Sequence, residues 1–260
     1  MKIRNLIILM LTALVFVSCG SEFKLANKFV SQSSDVQMAV YFPEEAQVTL
    51  IQDEDGTYTK VLDSVNQDLF LDIMYAAYAD ELSHYDINVY IPEDPDAVQV
   101  DSTHWLVILS RVEIQGLFTE YVDQLFDFID DYTYTFSLNT VNVASWFDVN
   151  DGEWHPTLFD EYNLTDDFDS YIARSRTEGL QYHYNITPLK TEDVYDFAVF
   201  LGKRYAAFTY DYMMNRYVEA GMKTKNQTPR FKLRWDPYEK GYYFQLEDEG
   251  FIELKPENAE

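Results

Sequence analysis

Residues 191–221 read TEDVYDFAVFLGKRYAAFTYDYMMNRYVEAG. Val194, Phe197, Ala198, Leu201, Tyr205, Phe208 and Tyr212 recur three and four residues apart, one stripe of a helix of about seven turns. Thr191 is the expected cap, with Glu192 and Asp193 at the positive end of the helix dipole and Gly221 as the expected stop. A stripe this long needs a partner layer. Downstream, Phe231, Leu233 and Trp235 alternate, a turn follows at 236–241, and Tyr242, Phe244 and Leu246 alternate again, which predicts a hairpin.

Upstream, residues 153–190 predict turns and short strands. Before them, Tyr134, Phe136 and Leu138 alternate, the phase shifts near Thr140, and Val141 and Val143 lead to Trp146. This predicts a long strand with a bulge, ended by Asp148–Gly152. Trp105–Leu109 is wholly apolar, as in a strand covered on both faces. A capping box of Ser64 and Gln67 opens a helix over about 65–84. Ile87–Ile91 returns as a strand stopped by Pro92 and Pro95. Strands are also expected at Val36–Phe42 and Val48–Ile51, and Asp53–Gly56 reads as a hairpin turn before Thr57–Leu62. This order predicts an α+β fold: a twisted, largely antiparallel sheet with two main helices packed on one face, in a single domain over 36–260.

The N-terminus carries different information. Lys2 and Arg4 precede an apolar run from Leu6 to Val17, broken only by Thr12 and too short to span a bilayer, which takes about 20 residues. Ser18-Cys19-Gly20 follows at once. The segment resembles the signal peptide and lipobox of bacterial lipoproteins, and its Ser-Cys-Gly ending is similar to the looser lipobox of Bacteroidota. Phe16 stands where many lipoboxes carry Leu. The resemblance implies cleavage after residue 18, diacylglycerol on the Cys19 sulfur and an outer-membrane location, with the periplasmic and surface faces both open. Residues 19–35 then read as a lipidated tether, because residues 20–35 show no sustained periodicity. Cys19 is the only cysteine, so the fold has no intramolecular disulfide.

The chain carries 19 basic and 45 acidic residues; losing Lys2 and Arg4 leaves 17 against 45, net −28. Such a charge argues against nucleic acid, or an unassisted anionic membrane surface, as a partner. Residues 22–189 hold 6 basic and 32 acidic residues, whereas 190–240 hold 10 and 7. The basic 190–240 segment is either an ordinary mixed surface or the contact for an anionic partner. Lys203, Arg204 and Arg216 fall off the apolar stripe and are expected to face solvent; Lys223, Lys225, Arg230, Lys232 and Arg234 follow them.

Catalytic signatures are missing. His84, His104, His155 and His183 form no His-Glu-x-x-His pair, and no Gly-x-Ser-x-Gly elbow or glycine-rich phosphate loop occurs. Asp148, Asn150, Asp151 and Glu153 lack the spacing of a calcium loop and fit a turn. Asp63-Ser64-Val65 and Asp101-Ser102-Thr103 resemble the short O-glycosylation signal of Bacteroidota, a pattern loose enough to arise by chance. With 43 aromatic residues (4 Trp, 21 Tyr, 18 Phe), Tyr182-His183-Tyr184 and Tyr242-Tyr243 stand out as candidates for exposed rings that bind sugars or protein surfaces. Over about residues 40–165, the order of elements is loosely similar to small envelope lipoproteins of the lipopolysaccharide-assembly and transporter-auxiliary type. The expectation is therefore a non-catalytic envelope lipoprotein, an accessory or assembly subunit with no cofactor or metal. It meets the membrane through its anchor and an envelope protein partner through the basic segment. The alternative is a surface glycan-binding lipoprotein.

Overall fold

Two long strands, β4 (His104–Phe126) and β5 (Asp131–Asn150), form an antiparallel ribbon that is the spine of the molecule. In this computed structural model the described residues are 21–53, 55–101, 103–126, 131–176, 179–246 and 249–255. The expected signal peptide, Cys19 and Ser102 lie outside them. Around the spine runs a seven-stranded sheet: β6 (Leu158–Thr165) pairs antiparallel with β5, and β11 (Ile252–Glu253) with β6. On the other side, β1 (Gln37–Tyr41) and β2 (Gln47–Leu50) both run parallel to β4, and β3 (Asn88–Tyr90) runs parallel to β1. The fold is α+β, with a sheet that is antiparallel through its long strands and parallel at one edge.

The bulge expected near Thr140 is not found: Thr140 pairs in unbroken register with Leu117, and the ribbon's register shift lies instead on β4. Ser110 of β4 is the extra residue between the pairs Leu109–Phe147 and Arg111–Trp146, and its hydroxyl donates to the Trp146 carbonyl at 3.2 Å. This bend falls where β1 ends, opposite Ile108, and before β2 begins, opposite Glu113.

Alternation puts Met38, Val40, Trp105, Val107, Leu109, Val143, Phe147 and Leu158 in one buried layer. Two helices cover it, α2 (Gln67–His84) and α3 (Thr191–Lys223). Tyr78 of α2 is fully buried and donates its hydroxyl to Thr209 Oγ1 of α3 at 3.0 Å. Both expected caps are displaced. Asn66, not Ser64, caps α2 by accepting from Leu69 N at 3.0 Å, because Ser64 is taken into a 3₁₀ turn. At α3, Lys190 takes the cap position and Asp193 accepts its N–H at 2.7 Å, leaving Thr191 as the first helical residue. Gly221 does not stop α3 but clears space for Leu25, which would lie 2.8 Å from a Cβ there.

Leu25 belongs to a helix that the reading of 20–35 as a tether did not anticipate. Residues 21–32 are helical (α1), and Ala26 and Phe29 are buried. Phe29 packs on Tyr210 and Tyr217, and Glu22 Oε1 accepts Arg230 N at 2.7 Å. The buried positions 22, 26, 29 and 33 do follow helical spacing; too few of them are strongly apolar to stand out.

The expected C-terminal hairpin is β9 (Leu233–Asp236) with β10 (Gly241–Phe244). Its first strand is held by α3: Asp211 Oδ1 accepts Trp235 N at 2.9 Å, and Asn215 exchanges two hydrogen bonds with the Leu233 backbone. The turn at Asp53–Gly56 closes as expected, with Gly56 N donating to Asp53 O, but a 3₁₀ turn replaces the following strand. Residues 153–190 are more regular than expected. They contain β6 and a nine-on-nine hairpin of β7 (Asp167–Ser175) and β8 (Gly179–Thr187).

Candidate functional site

Beyond Gly116 of β4 and before Thr140 of β5, the ribbon outruns its neighbours β2 and β6. The β7–β8 hairpin lies against this overhang to make a two-layer arm. Its interior is aromatic: Phe168 meets Tyr121 at 4.6 Å and Phe136 at 4.8 Å between ring centroids, and Tyr182 stacks on Tyr134 at 4.2 Å. Asp123 Oδ2 ties the layers together by accepting Tyr182 Oη at 2.7 Å and Ser170 Oγ at 3.1 Å.

One carboxylate clamps the base of the arm. Buried Asp166 accepts Asn139 N and Asn139 Nδ2 on one oxygen and Leu189 N on the other, all at 2.8 Å. Asp166 immediately precedes β7 and Leu189 follows β8, so both ends of the hairpin and the ribbon meet at this side chain. Thr59 Oγ1 extends the chain by donating to Asn139 Oδ1 at 2.9 Å.

Large apolar side chains remain exposed on the arm. Tyr121, Ile172, Leu180 and Tyr184 all are, and Tyr171, 62% exposed, stacks on His183 at 4.9 Å on the face turned away from the ribbon. Of the expected exposed rings, Tyr184 is exposed on one side and packs on Phe136 at 4.6 Å on the other, Tyr182 is committed to the arm interior, and His183 forms half of the outer platform. Tyr243 is exposed, and Tyr242 packs on Phe23 and Trp235. Strand alternation in β7 and β8 was visible in the sequence, but their mixed composition marked neither face as buried.

A second feature is a hollow of about 630 Å³ between α1, the C-terminal part of α3 and the loop after β5, lined among others by Phe29, Trp105, Tyr217, Asp151, Glu153 and His155. The His155 side chain is 1% exposed, with Nε2 2.8 Å from Asp151 Oδ1 and Nδ1 2.9 Å from the Tyr212 hydroxyl. A neutral imidazole satisfies this pattern, Nε2–H donating to the carboxylate and Tyr212 O–H donating to Nδ1. Burial raises the Tyr212 pKa above the ordinary phenol range. Both ring nitrogens are engaged within the protein, so the chain Asp151–His155–Tyr212 orients the loop.

The other histidines are local. His84 Nδ1 lies 3.0 Å from Asp80 O at the end of α2, and its ring rests on Tyr238. His104 sits in a turn where Asp101 Oδ1 accepts both the Thr103 and His104 N–H groups. Those bonds hold the exposed Asp101 carboxyl below its usual range, the Thr103 hydroxyl first among them. In the loop weighed for calcium, Asn150 Oδ1 accepts Gly152 N, Asp151 Oδ1 accepts Glu153 N, and Asp148 Oδ1 accepts Thr157 Oγ1. Among the described residues, no group of three or more His, Cys, Asp or Glu is placed to hold a metal ion.

The basic segment divides into structural and free cations. Arg204, expected in solvent, is only 20% exposed: it forms two hydrogen bonds to buried Asp160 and lies over the rings of Tyr162 and Phe208. Arg234 bridges Glu249 and Asp211, Arg216 pairs with Glu219, and Lys232 with Glu253. Lys203, Lys223, Lys225 and Arg230 are exposed and have no ion pair among the described residues.

No known protein-family model matches this chain, and a search of curated proteins found no significant match. No helix among the described residues is long and apolar enough to cross a membrane.

Proposed function

We propose that this protein is a non-catalytic, lipid-anchored lipoprotein of the outer membrane, an accessory or assembly subunit that holds an envelope protein through its β-arm. The observation carrying this reading is the arm itself: a clamped, aromatic-filled projection bearing exposed Tyr121, Tyr171, Ile172, Leu180 and Tyr184. Rigid exposed tyrosines and neighbouring aliphatic groups are what protein interfaces use as anchors, because they bury much area at small entropic cost. The arm leaves the body at the start of α3, whereas Leu25 of α1 docks near its end. Thirty-three helical residues, about 50 Å, separate the two. The docked part of α1 and the arm thus lie at opposite ends of α3, so a lipid on Cys19 would present a partner away from the membrane.

The test is a photo-cross-linking amino acid placed in intact cells at Tyr171, Tyr184 or, as a control off the arm, Trp154. Discrete protein adducts from Tyr171 and Tyr184 but not from Trp154 are expected. Absence of arm adducts at normal abundance would overturn the reading. A glycan-binding role is the second reading, favoured by one observation: Trp154 stands 72% exposed between Glu153 and His155, which both line the 630 Å³ hollow. Binding of oligosaccharide by wild type and its loss in Trp154→Ala would favour that alternative.

A further inference from the structure

We infer that the end of the molecule formed by residues 21–24 of α1 and the β9–β10 hairpin is a membrane-contacting face, seated in the phospholipid headgroup region beneath the anchor. The inference deepens the lipid-anchor reading above and rests on it. With residues 20–35 as a loose tether, the domain would stand up to about 50 Å from the membrane, and no face would be favoured. Helix α1 removes that freedom. It is docked from residue 22, where Glu22 Oε1 accepts Arg230 N and Leu25 fits the space over Gly221. Only residue 20 separates Cys19 from Ser21, a span of at most about 7 Å. An acyl chain on Cys19 therefore draws this particular end to the bilayer.

The chemistry of that end matches. Phe23 meets Phe231, Tyr242 and Phe244 at ring-centroid distances of 6.4, 5.7 and 6.3 Å. Phe23, Phe231 and Tyr242 are half-buried, Phe244 is the exposed member at 57%, and Leu246, two residues on, is 62% exposed. Exposed Lys24 and Arg230 flank it. Aromatic and aliphatic side chains rimmed by cations suit an interface of acyl chain ends and phosphate headgroups. The rest of this strongly acidic chain does not, since anionic lipid repels it. The charge asymmetry of the sequence thereby acquires a direction, basic end toward the membrane and acidic arm away.

If Cys19 is acylated, an introduced cysteine becomes the only free thiol and takes an environment-sensitive dye. Purified full-length lipoprotein carrying Phe244→Cys, Leu246→Cys or, on the arm, Tyr171→Cys would be labelled and reconstituted into phosphatidylethanolamine–phosphatidylglycerol vesicles with or without brominated acyl chains. All three should float with the vesicles. Dye at 244 and 246 should be quenched about two-fold or more by the brominated lipid, as for a group about 5–10 Å into the interface, and dye at 171 should not change. Leu246 lies outside the strand, so its variant guards against a folding defect at 244. Flotation with equal, negligible quenching at all three positions would overturn the membrane face and leave the anchor standing. Failure to float would remove the anchor reading, and this inference with it.

Discussion

Gly202 of α3 lies directly against the carbonyl of Met74 in α2: a Cβ at 202 would overlap that oxygen and come within 2.9 Å of the Ala77 methyl and 3.0 Å of Tyr78 N. This close approach of the two helices lets the buried Tyr78 reach Thr209. Gly202→Ala gains about 1 kcal/mol of helix propensity, but forcing the backbones apart costs about 1–3 kcal/mol, and the second effect should win. Urea melts should show Gly202→Ala destabilised and Gly202→Val more so. A neutral or stabilising alanine would mean that the helices slide apart freely.

Asp166 should control the arm more than the body. Asp166→Ala leaves the Asn139 and Leu189 N–H groups without their acceptor, at about 1–3 kcal/mol for each group left buried and unpaired. Hydrogen exchange should accelerate across 167–187 while α2 and α3 stay protected. Uniform acceleration over the whole chain would show that the arm is not a separate unit.

A buried carboxyl makes the fold pH-sensitive. Burial pushes the Asp211 pKa from 3.8 up to about 8, against the opposing effects of Trp235 N–H and the Arg234 guanidinium. Between about pH 4 and 8 the folded chain therefore holds a proton that the unfolded chain has released. Stability from this group falls as pH rises through that window, by about 1.4 kcal/mol for each pH unit crossed, and levels off above it. Asparagine at 211 keeps an acceptor for Trp235 N–H and carries no charge. Asp211→Asn should nearly match wild type at about pH 4 and exceed it by a few kcal/mol near pH 9. Parallel pH–stability curves for the two proteins would show that Asp211 is already ionised in the folded chain at pH 5.

The histidines should separate by burial. His155→Ala removes both bonds of the Asp151–His155–Tyr212 chain and should cost about 2–3 kcal/mol, and Tyr212→Phe about 1 kcal/mol. Alanine at His84, His104 or His183 should change stability by about 0.5 kcal/mol or less. Alanine at His84, His104 or His155 should not alter the cellular role when abundance is matched. Loss of function at a stable variant of one of these three would argue for catalysis.

The long elements were legible because their periodicity is strong. The stripe from Val194 to Tyr212 and the run Trp105–Leu109 each bury enough apolar surface to declare their own conformation. So were the α+β class and the C-terminal hairpin, where alternating large side chains flank a turn. Helix α1 was not, since Ala26 and Phe29 are too few to mark a face until α3 and the hairpin stand beside them. Nor was the arm: β7 and β8 alternate without a clear apolar face, and what fixes them is Asp166, whose partners at 139 and 189 are distant in sequence. Arg204 and Asp160 are likewise ordinary charged residues in the sequence, paired only because β6 passes under α3. Local periodicity is a property of neighbouring residues, so the chain alone specifies it. A clamp, an ion pair or a docked helix depends on which distant segments the sheet order brings together, and tertiary packing alone decides that.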